Sequence, residues 1–544
     1  MSHESRRFGR MGLSLICVLS LAWTVFAESS DQGWGTFPQN AAEAARFLEY
    51  STWGPSASYI NSVQEVGFLR YLEDEFSATP SSYPTLPLVP ATIPTDCDAT
   101  CRRDNYSLYP IQIRFYTNAL YGPDQLRQRV AFALHQIIVV SGVDITHPSR
   151  MTPYLQILDR NAFGNYRQLL QEITLNPAMG NYLDMAGNNA TNPNENYARE
   201  ILQLFTIGLN KLNEDGTNAI GDDGKIVPAY DQNVVNAFAR VFTGWNFAAA
   251  PSQGIVNYID PMVATQNRHD TQPKTLLDGV TLRANQTAAK DLSDALDNIF
   301  NHPNVGPFVS KQLIQHLVTS NPSPDYVRRV ARVFADNGLG VRGDMKSIIR
   351  AILLDPEAAE NPTLTVRGRL KHPVLLVTNL LRAFNAGSAA GGGYSDGYLN
   401  PQNQNMGMDL FAPSSVFSYF SPFTGVPGSN MRGPEFGVLN TSTAIRRANF
   451  VNTMVFSRIN VSTTTPVNAP YGTALNFSAI QNLSNDPEQM VLTLNTLMMS
   501  GRMSGPMADA IVAAVKAVPT TDPLKRARTA VYLIATSAQY QVSR

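Results

Sequence analysis

The chain has 544 residues, with 42 Lys and Arg against 43 Asp and Glu and a net charge of −1. With no basic excess to neutralise phosphates, nucleic acid is excluded as a partner. Charged residues make up only 16% of the chain, where about 25% is usual for a globular protein, so Asn, Gln, Ser and Thr fill the polar surface, as is common in exported proteins.

Residues 1–27 predict a secretory leader. Arg6, Arg7 and Arg10 form a positive start, 11–26 is almost wholly apolar, and Val25-Phe26-Ala27 offers small residues where a signal peptidase reads. The apolar stretch, about 16 residues, is short of the roughly 20 that a bilayer span needs. The protein is therefore expected in the periplasm or outside the cell, with no transmembrane span in the mature chain. An uncleaved anchor, and a twin-arginine route read from Ser5-Arg6-Arg7-Phe8, stay open as alternatives. Residues 28–39 read as a tail. Cys17 leaves with the leader, and in an oxidising compartment the remaining Cys97 and Cys101 predict a local disulfide. Asp96 and Asp98 beside them disfavour the thiolate that a redox or metal role requires.

From residue 40 the patterns are mostly helical, at 41–50 and 56–76, followed by a Pro-rich loop over 80–94. The helix at 125–141 turns apolar nearly all round, which marks a buried element, and another follows at 166–185. Asn192 as cap, Pro193 in the first turn and Glu195 three residues after the cap predict a helix through 197–209, with Glu195 and Arg199 as an i,i+4 pair. Asp215-Gly216 and Asp222-Asp223-Gly224 predict tight turns around a short hairpin; read as a calcium loop they lack the terminal Glu. Asp231 caps a helix running to Trp245, and 254–285 reads as irregular or weakly stranded. Helices return at 288–300, 305–319, 324–337, 343–355 and 370–385, with Ser323-Pro324 as a cap and first turn. A Gly-, Asn- and aromatic-rich irregular segment spans 386–440, and helical patterns with a polar loop at 460–484 fill 441–544. The expected fold is mainly α: a large multi-helix globular domain with long irregular loops and minor β-hairpin content. Residues 40–385 would form its core and 441–544 would pack on it.

Several segments, in order, resemble a bacterial family of exported proteins known as domain of unknown function 1800. They are Ala44-Ala45-Arg46-Phe47-Leu48, Trp53-Gly54-Pro55, Leu126-Arg127-Gln128-Arg129-Val130-Ala131-Phe132, Asn176-Pro177-Ala178-Met179 and Asn194-Glu195-Asn196-Tyr197-Ala198-Arg199-Glu200, then Leu204-Phe205-Thr206, Phe242-Thr243-Gly244-Trp245, His269-Asp270 and Pro413-Ser414-Ser415-Val416-Phe417. The resemblance implies export and a largely helical fold, but no activity. Relatives carry a Trp-His-Asn-His-Phe segment where this chain has Leu134-His135-Gln136-Ile137-Ile138, so one histidine of two remains. The resemblance also implies, as a partner, an exported sulfatase- or phosphatase-like protein encoded nearby.

Four residues stand out as candidates for chemistry. His135 lies in the most apolar helix, where a buried imidazole stays neutral and suits a metal ligand or general base; the alternative is a core histidine with both nitrogens bonded. Glu200 shares a polar stripe with Asn196 and Gln203 on an otherwise apolar helix, facing either solvent or a polar cavity. His269 and Asp270 sit with Arg268 and Lys274 in a loop, an unusual density of ionisable groups in this chain. Together His135, Glu200, His269 and Asp270 form a candidate catalytic set, and His135, Glu200 and His269 a candidate divalent-metal site of mixed imidazole and carboxylate ligands. No serine-hydrolase elbow, phosphate loop or dinucleotide fingerprint occurs. Tyr394, Tyr398, Phe417, Tyr419, Phe420 and Phe423 suit either a sugar-stacking platform or the packing of an irregular segment. Two readings of function follow: a metal-assisted envelope or extracellular enzyme, and, alternatively, a non-catalytic cell-surface or matrix protein that binds a glycan or a partner through 386–436.

Overall fold

Apolar residues at helical spacing, punctuated by side-chain caps, build this chain from helices. In the computed structural model, residues 35–359, 368–465 and 467–543 are described, and the leader expected at 1–27 lies outside the described residues. Among the described residues there are 23 α-helices. Many begin as the capping rules require: Asn40, Ser56, Asp231 and Ser323 each accept the backbone N–H three residues on, which satisfies a donor that the helix itself leaves unpaired. Asn440 and Thr443 form a reciprocal capping box on Thr441–Phe456.

The helix Gln125–Ile137 is buried nearly all round, and from Val130 it is largely apolar. It packs against Ala41–Ser51, Phe68–Ser77, Tyr109–Tyr121, Pro148–Asn161 and Val305–Leu317. Val305–Leu317 continues outward through Pro324–Ala335 to Met345–Leu354. From the C-terminal region, Pro487–Met499 packs on Ala41–Ser51 and Pro373–Ala383, so one core cluster runs from Ala44 to Tyr540. Among the described residues the β-strands form three two-stranded antiparallel ribbons, registered Trp245 with Ala264, Lys274 with Leu282 and Arg369 with Ser543. Cys97 and Cys101 form a disulfide at the start of Ala99–Asn105. No helix among the described residues is long and apolar enough to cross a membrane.

Several helices differ from expectation: that over 56–76 breaks at Gly67 into Ala57–Val66 and Phe68–Ser77, and that over 166–185 breaks before Pro177 into Tyr166–Thr174 and Pro177–Tyr182. The predicted start at Asn192 moves to Asn196, because Asn188 accepts the N–H of Asn194 at 2.8 Å and Asn194 that of Asn196 at 2.9 Å, so local turns replace the first helical turn. After Glu200 the helix widens into a π-turn, Ile201–Thr206, and Ile207 N–H reaches the Leu202 carbonyl at 2.9 Å. The Thr206 hydroxyl donates to the Ile201 carbonyl inside that turn and supports the wider spacing. The helix expected over 125–141 stops at Ile137, and 138–141 stays buried without helical form.

Gly54 lets the chain turn against Pro373–Ala383. Its φ is +136°, a Cβ would lie 2.6 Å from the Asn379 Cα, and Asn379 and Arg382 donate to the Trp53 and Gly54 carbonyls at 2.9 and 2.8 Å. Gly54→Ala is expected to destabilise the fold by at least about 2 kcal/mol in denaturant unfolding. Gly505→Ala, in open space at a helix start, is expected to be neutral or stabilising within about 1 kcal/mol.

Candidate functional site

The buried helix face carries His135 into a closed hydrogen-bond relay. The Tyr154 hydroxyl donates to the Ile138 carbonyl at 2.6 Å, so it accepts from His135 Nδ1 at 3.0 Å. Nε2 then accepts from the Tyr419 hydroxyl at 3.2 Å, and that oxygen accepts the Phe411 N–H at 2.8 Å. Every donor has an acceptor while the ring is neutral, and a second ring proton has nowhere to go. Burial pushes the imidazole down to about 3. His135 is thus a core histidine that ties Gln125–Ile137 to Pro148–Asn161 and to the loop around 411–419.

His269 is equally enclosed. Nδ1 faces the Thr243 carbonyl at 2.9 Å and Nε2 faces Asp291 Oδ2 at 3.0 Å. Lys274 Nζ reaches the same Asp291 oxygen at 2.7 Å, and Gln286 donates to Oδ1 at 2.6 Å. The side chains of His269, Lys274 and Asp291 are wholly buried. Burial alone would raise the Asp291 carboxyl; hydrogen bonds from His269, Lys274 and Gln286 overcome it and hold the group below its usual range. Asp270 faces the other way and pairs with Arg240 through two bonds, at 2.8 and 3.0 Å. The adjacent pair His269-Asp270 therefore clamps its loop to Ala288–Asn301 on one side and to Gln232–Val241 on the other. Asp291 escaped the sequence reading because an acid in the first turn of an amphipathic helix reads as a surface residue.

Glu200 stands where the α-helix gives way to the π-turn. Its Oε2 is buried with no hydrogen-bond partner among the described residues, as is the Tyr230 hydroxyl. Burial raises the Glu200 carboxyl against the pull of Arg199. Burial, with Glu200 nearby, lifts Tyr182 and Tyr230 to about 12. Glu200 thus stands half-buried, with Tyr182 and Tyr230 near its carboxyl. Among the described residues no three His, Cys, Asp or Glu side chains are grouped to hold a metal. The expected set of His135, Glu200 and His269 is not assembled, because tyrosines occupy both nitrogens of His135 while Thr243 and Asp291 occupy those of His269.

Elsewhere, a cleft of about 490 Å³ forms where Tyr109–Tyr121, the loop at 142–146 and the segment 397–412 meet. Its polar wall is built on Asp409. Asn400 and Gln112 donate to Oδ1 at 2.8 and 3.2 Å, and Gln404 donates to Oδ2 at 3.1 Å. The amide groups of Gln112 and Gln404 point their nitrogens at this carboxylate, which leaves their oxygens as acceptors. Its aromatic wall is Tyr109 and Tyr398, with ring centroids 5.8 Å apart and planes tilted by 49°. The Arg103 guanidinium lies 4.9 Å over the Tyr109 ring, and the Tyr109 hydroxyl donates to the Asn468 carbonyl at 2.7 Å. Within 386–436 the aromatics divide: Tyr394 is exposed and stacks on Tyr121 at 4.2 Å, whereas Tyr419 and Phe420 are buried.

Two measurements test these placements. A folded-state value near 3 against 6.5 in the unfolded chain means that, as pH falls from about 6.5 to about 3, the unfolded state takes up a proton at His135 that the native state does not. Stability then falls with falling pH, by up to ~1.4 kcal/mol per unit from this group, and His135→Gln is expected to flatten the slope of unfolding free energy against pH over that window. His269→Ala, which leaves Asp291 and Lys274 without their third partner, is expected to cost about 3–5 kcal/mol in denaturant unfolding.

No curated protein and no solved structure matches the chain. The family profile described as "Protein of unknown function (DUF1800)" matches residues 46–542, nearly the whole described chain, and the protein belongs to that family.

Proposed function

We propose that the protein is an exported binding protein whose cleft takes a neutral, hydroxyl-rich ligand of the oligosaccharide class. The observation that carries this reading is the pairing, in one cleft of about 490 Å³, of an aromatic wall, Tyr109 and Tyr398, with a wall of side-chain amides and one carboxylate. Sugar rings present apolar C–H faces that pack on aromatic rings, and hydroxyls that both donate and accept, as amides do. The Gln112 and Gln404 side-chain oxygens supply acceptors, with Asp409 holding both amides in place, and charge plays little part. Among the described residues Asp409 is the one carboxylate lining the cleft, whereas glycoside hydrolysis by paired acids needs two flanking the scissile bond; this favours binding over cleavage. Export is supported by the leader pattern of 1–27 and by the Cys97–Cys101 disulfide, a bond that persists in oxidising compartments.

Glycan-array screening of the purified chain, followed by calorimetry, is expected to find an oligosaccharide bound. Tyr398→Ala is expected to weaken it about tenfold, or ~1.4 kcal/mol, with little change in melting temperature because the ring is part-exposed. Gln112→Leu is expected to act in the same direction. An array without hits, or affinity unmoved by both substitutions, overturns the proposal.

A further inference from the structure

One part of the interior gathers hydrogen-bond donors and positive charge without matching acceptors. The Arg129 guanidinium carbon lies 5.1 Å from the Trp53 ring centroid, and Trp53 packs on Phe132 at 5.4 Å. Phe132, one turn on from Arg129, stands 5.9 Å from the His372 ring. Arg369 enters from the ribbon just before His372 and donates to the His316 carbonyl. Arg447 donates to the Lys371 carbonyl at 2.9 Å. Five segments distant in sequence thus converge on one place.

The unmatched atoms on the Trp53, Arg129, Arg369, His372 and Arg447 side chains are all donors. Trp53 Nε1, Arg129 Nε and Nη2, Arg369 Nε, His372 Nε2, and Arg447 Nε and Nη2 are buried with no hydrogen-bond partner among the described residues. His372 Nδ1 accepts the Leu375 N–H at 3.3 Å, so the ring proton sits on Nε2, which has no acceptor among the described residues. Arg129 is 1% exposed and pairs with no carboxylate among the described residues. The two buried carboxylates nearby do not serve it. Glu49 is taken by Lys371 at 3.1 Å and Arg502 at 2.6 Å, and Glu435 lies 3.9 Å from Arg369. Burial, with Arg369 and Arg129 adding to it, drives the His316 and His372 imidazoles down, so both are neutral and cannot be the reason for the imbalance. A guanidinium does not shed its proton, and an unpaired buried charge is costly unless something negative meets it.

We propose that Trp53, Arg129, Arg369 and His372 bind a small inorganic anion, a halide or a compact oxyanion, enclosed as the chain folds. Close packing of Arg129 on Trp53 and of Trp53 on Phe132 suits an ion rather than a metabolite. The near-complete burial of every member means that the anion is integral to the core and does not exchange through the glycan cleft. The inference rests on different residues from the proposed function and stands or falls separately.

The full chain, desalted into acetate and then denatured, is expected to release about one halide, sulfate or phosphate per molecule by ion chromatography; which one appears identifies the source. Crystals grown in bromide are expected to show an anomalous peak between Arg129 and His372 if the site takes halides. The melting temperature of refolded protein is expected to rise by about 2 °C or more with the bound species and not with acetate. Arg129→Met, which replaces the charge by an apolar chain of similar length, is expected to abolish both anion retention and the species-dependent rise. Trp53→Phe, which keeps the ring and removes the N–H, is expected to reduce them and serves if Arg129→Met does not fold. A wild-type chain that releases no anion and melts alike in all salts overturns the proposal, as does undiminished retention in the folded variants.

Discussion

The chain of hydrogen bonds through His135 is the constraint on which the rest of the molecule hangs. From the Phe411 N–H through Tyr419, His135 and Tyr154 to the Ile138 carbonyl, it joins two central helices to a loop that has no regular structure of its own. Phe411 adopts a φ of +64°, a conformation that a non-glycine residue holds only when its surroundings impose it. The relay fixes its N–H, and its carbonyl accepts from Gly142 at 2.8 Å. Asp409, two residues earlier, is thereby held at the cleft wall. The proposed binding surface thus takes its shape from a polar thread through an otherwise apolar core.

The same economy recurs around His269. A helical protein poor in charge has few ways to anchor a long loop, because the ribbons at 245–246 with 263–264 and at 274–275 with 281–282 are only two residues deep on each strand. His269, Lys274 and Asp291 supply the missing restraint from inside, and Arg240 with Asp270 supplies it from the rim. Such a network is high-stakes: complete, it specifies one arrangement; broken at any member, it leaves a buried charge exposed to the full cost of desolvation.

Much of the fold was legible in the sequence, and for physical reasons. Caps such as Asp231 and Ser323 act through bonds to residues three positions away, so they can be read locally. The burial of Gln125–Ile137 followed from the apolar run that begins at Val130. The late start at Asn196 did not, because runs of asparagine satisfy backbone groups in several competing ways. The π-turn was hidden because a single widened turn changes the helical phase without changing composition. For the site, the types of residue were right and their company was wrong. His135 and His269 are indeed buried, yet what meets them comes from Tyr154, Tyr419, Thr243 and Asp291, none of which a linear pattern brings near. The Asn- and Gln-rich run after Tyr398 was visible as a candidate face, whereas its partners at 109–113 and 142–146 are joined to it only by the fold.

Asp409 has a consequence for how the cleft meets a ligand. Both of its oxygens are already engaged by amides from Gln112, Asn400 and Gln404, and the Asn400 carbonyl oxygen also accepts the Leu410 N–H at 2.9 Å. The polar wall is therefore set before anything arrives. A molecule entering the cleft orders few side chains, so little of its contact energy is lost to entropy. The other face of that stiffness is narrow tolerance: a wall that cannot rearrange selects among ligands by the spacing of their hydroxyls and does not adapt to them.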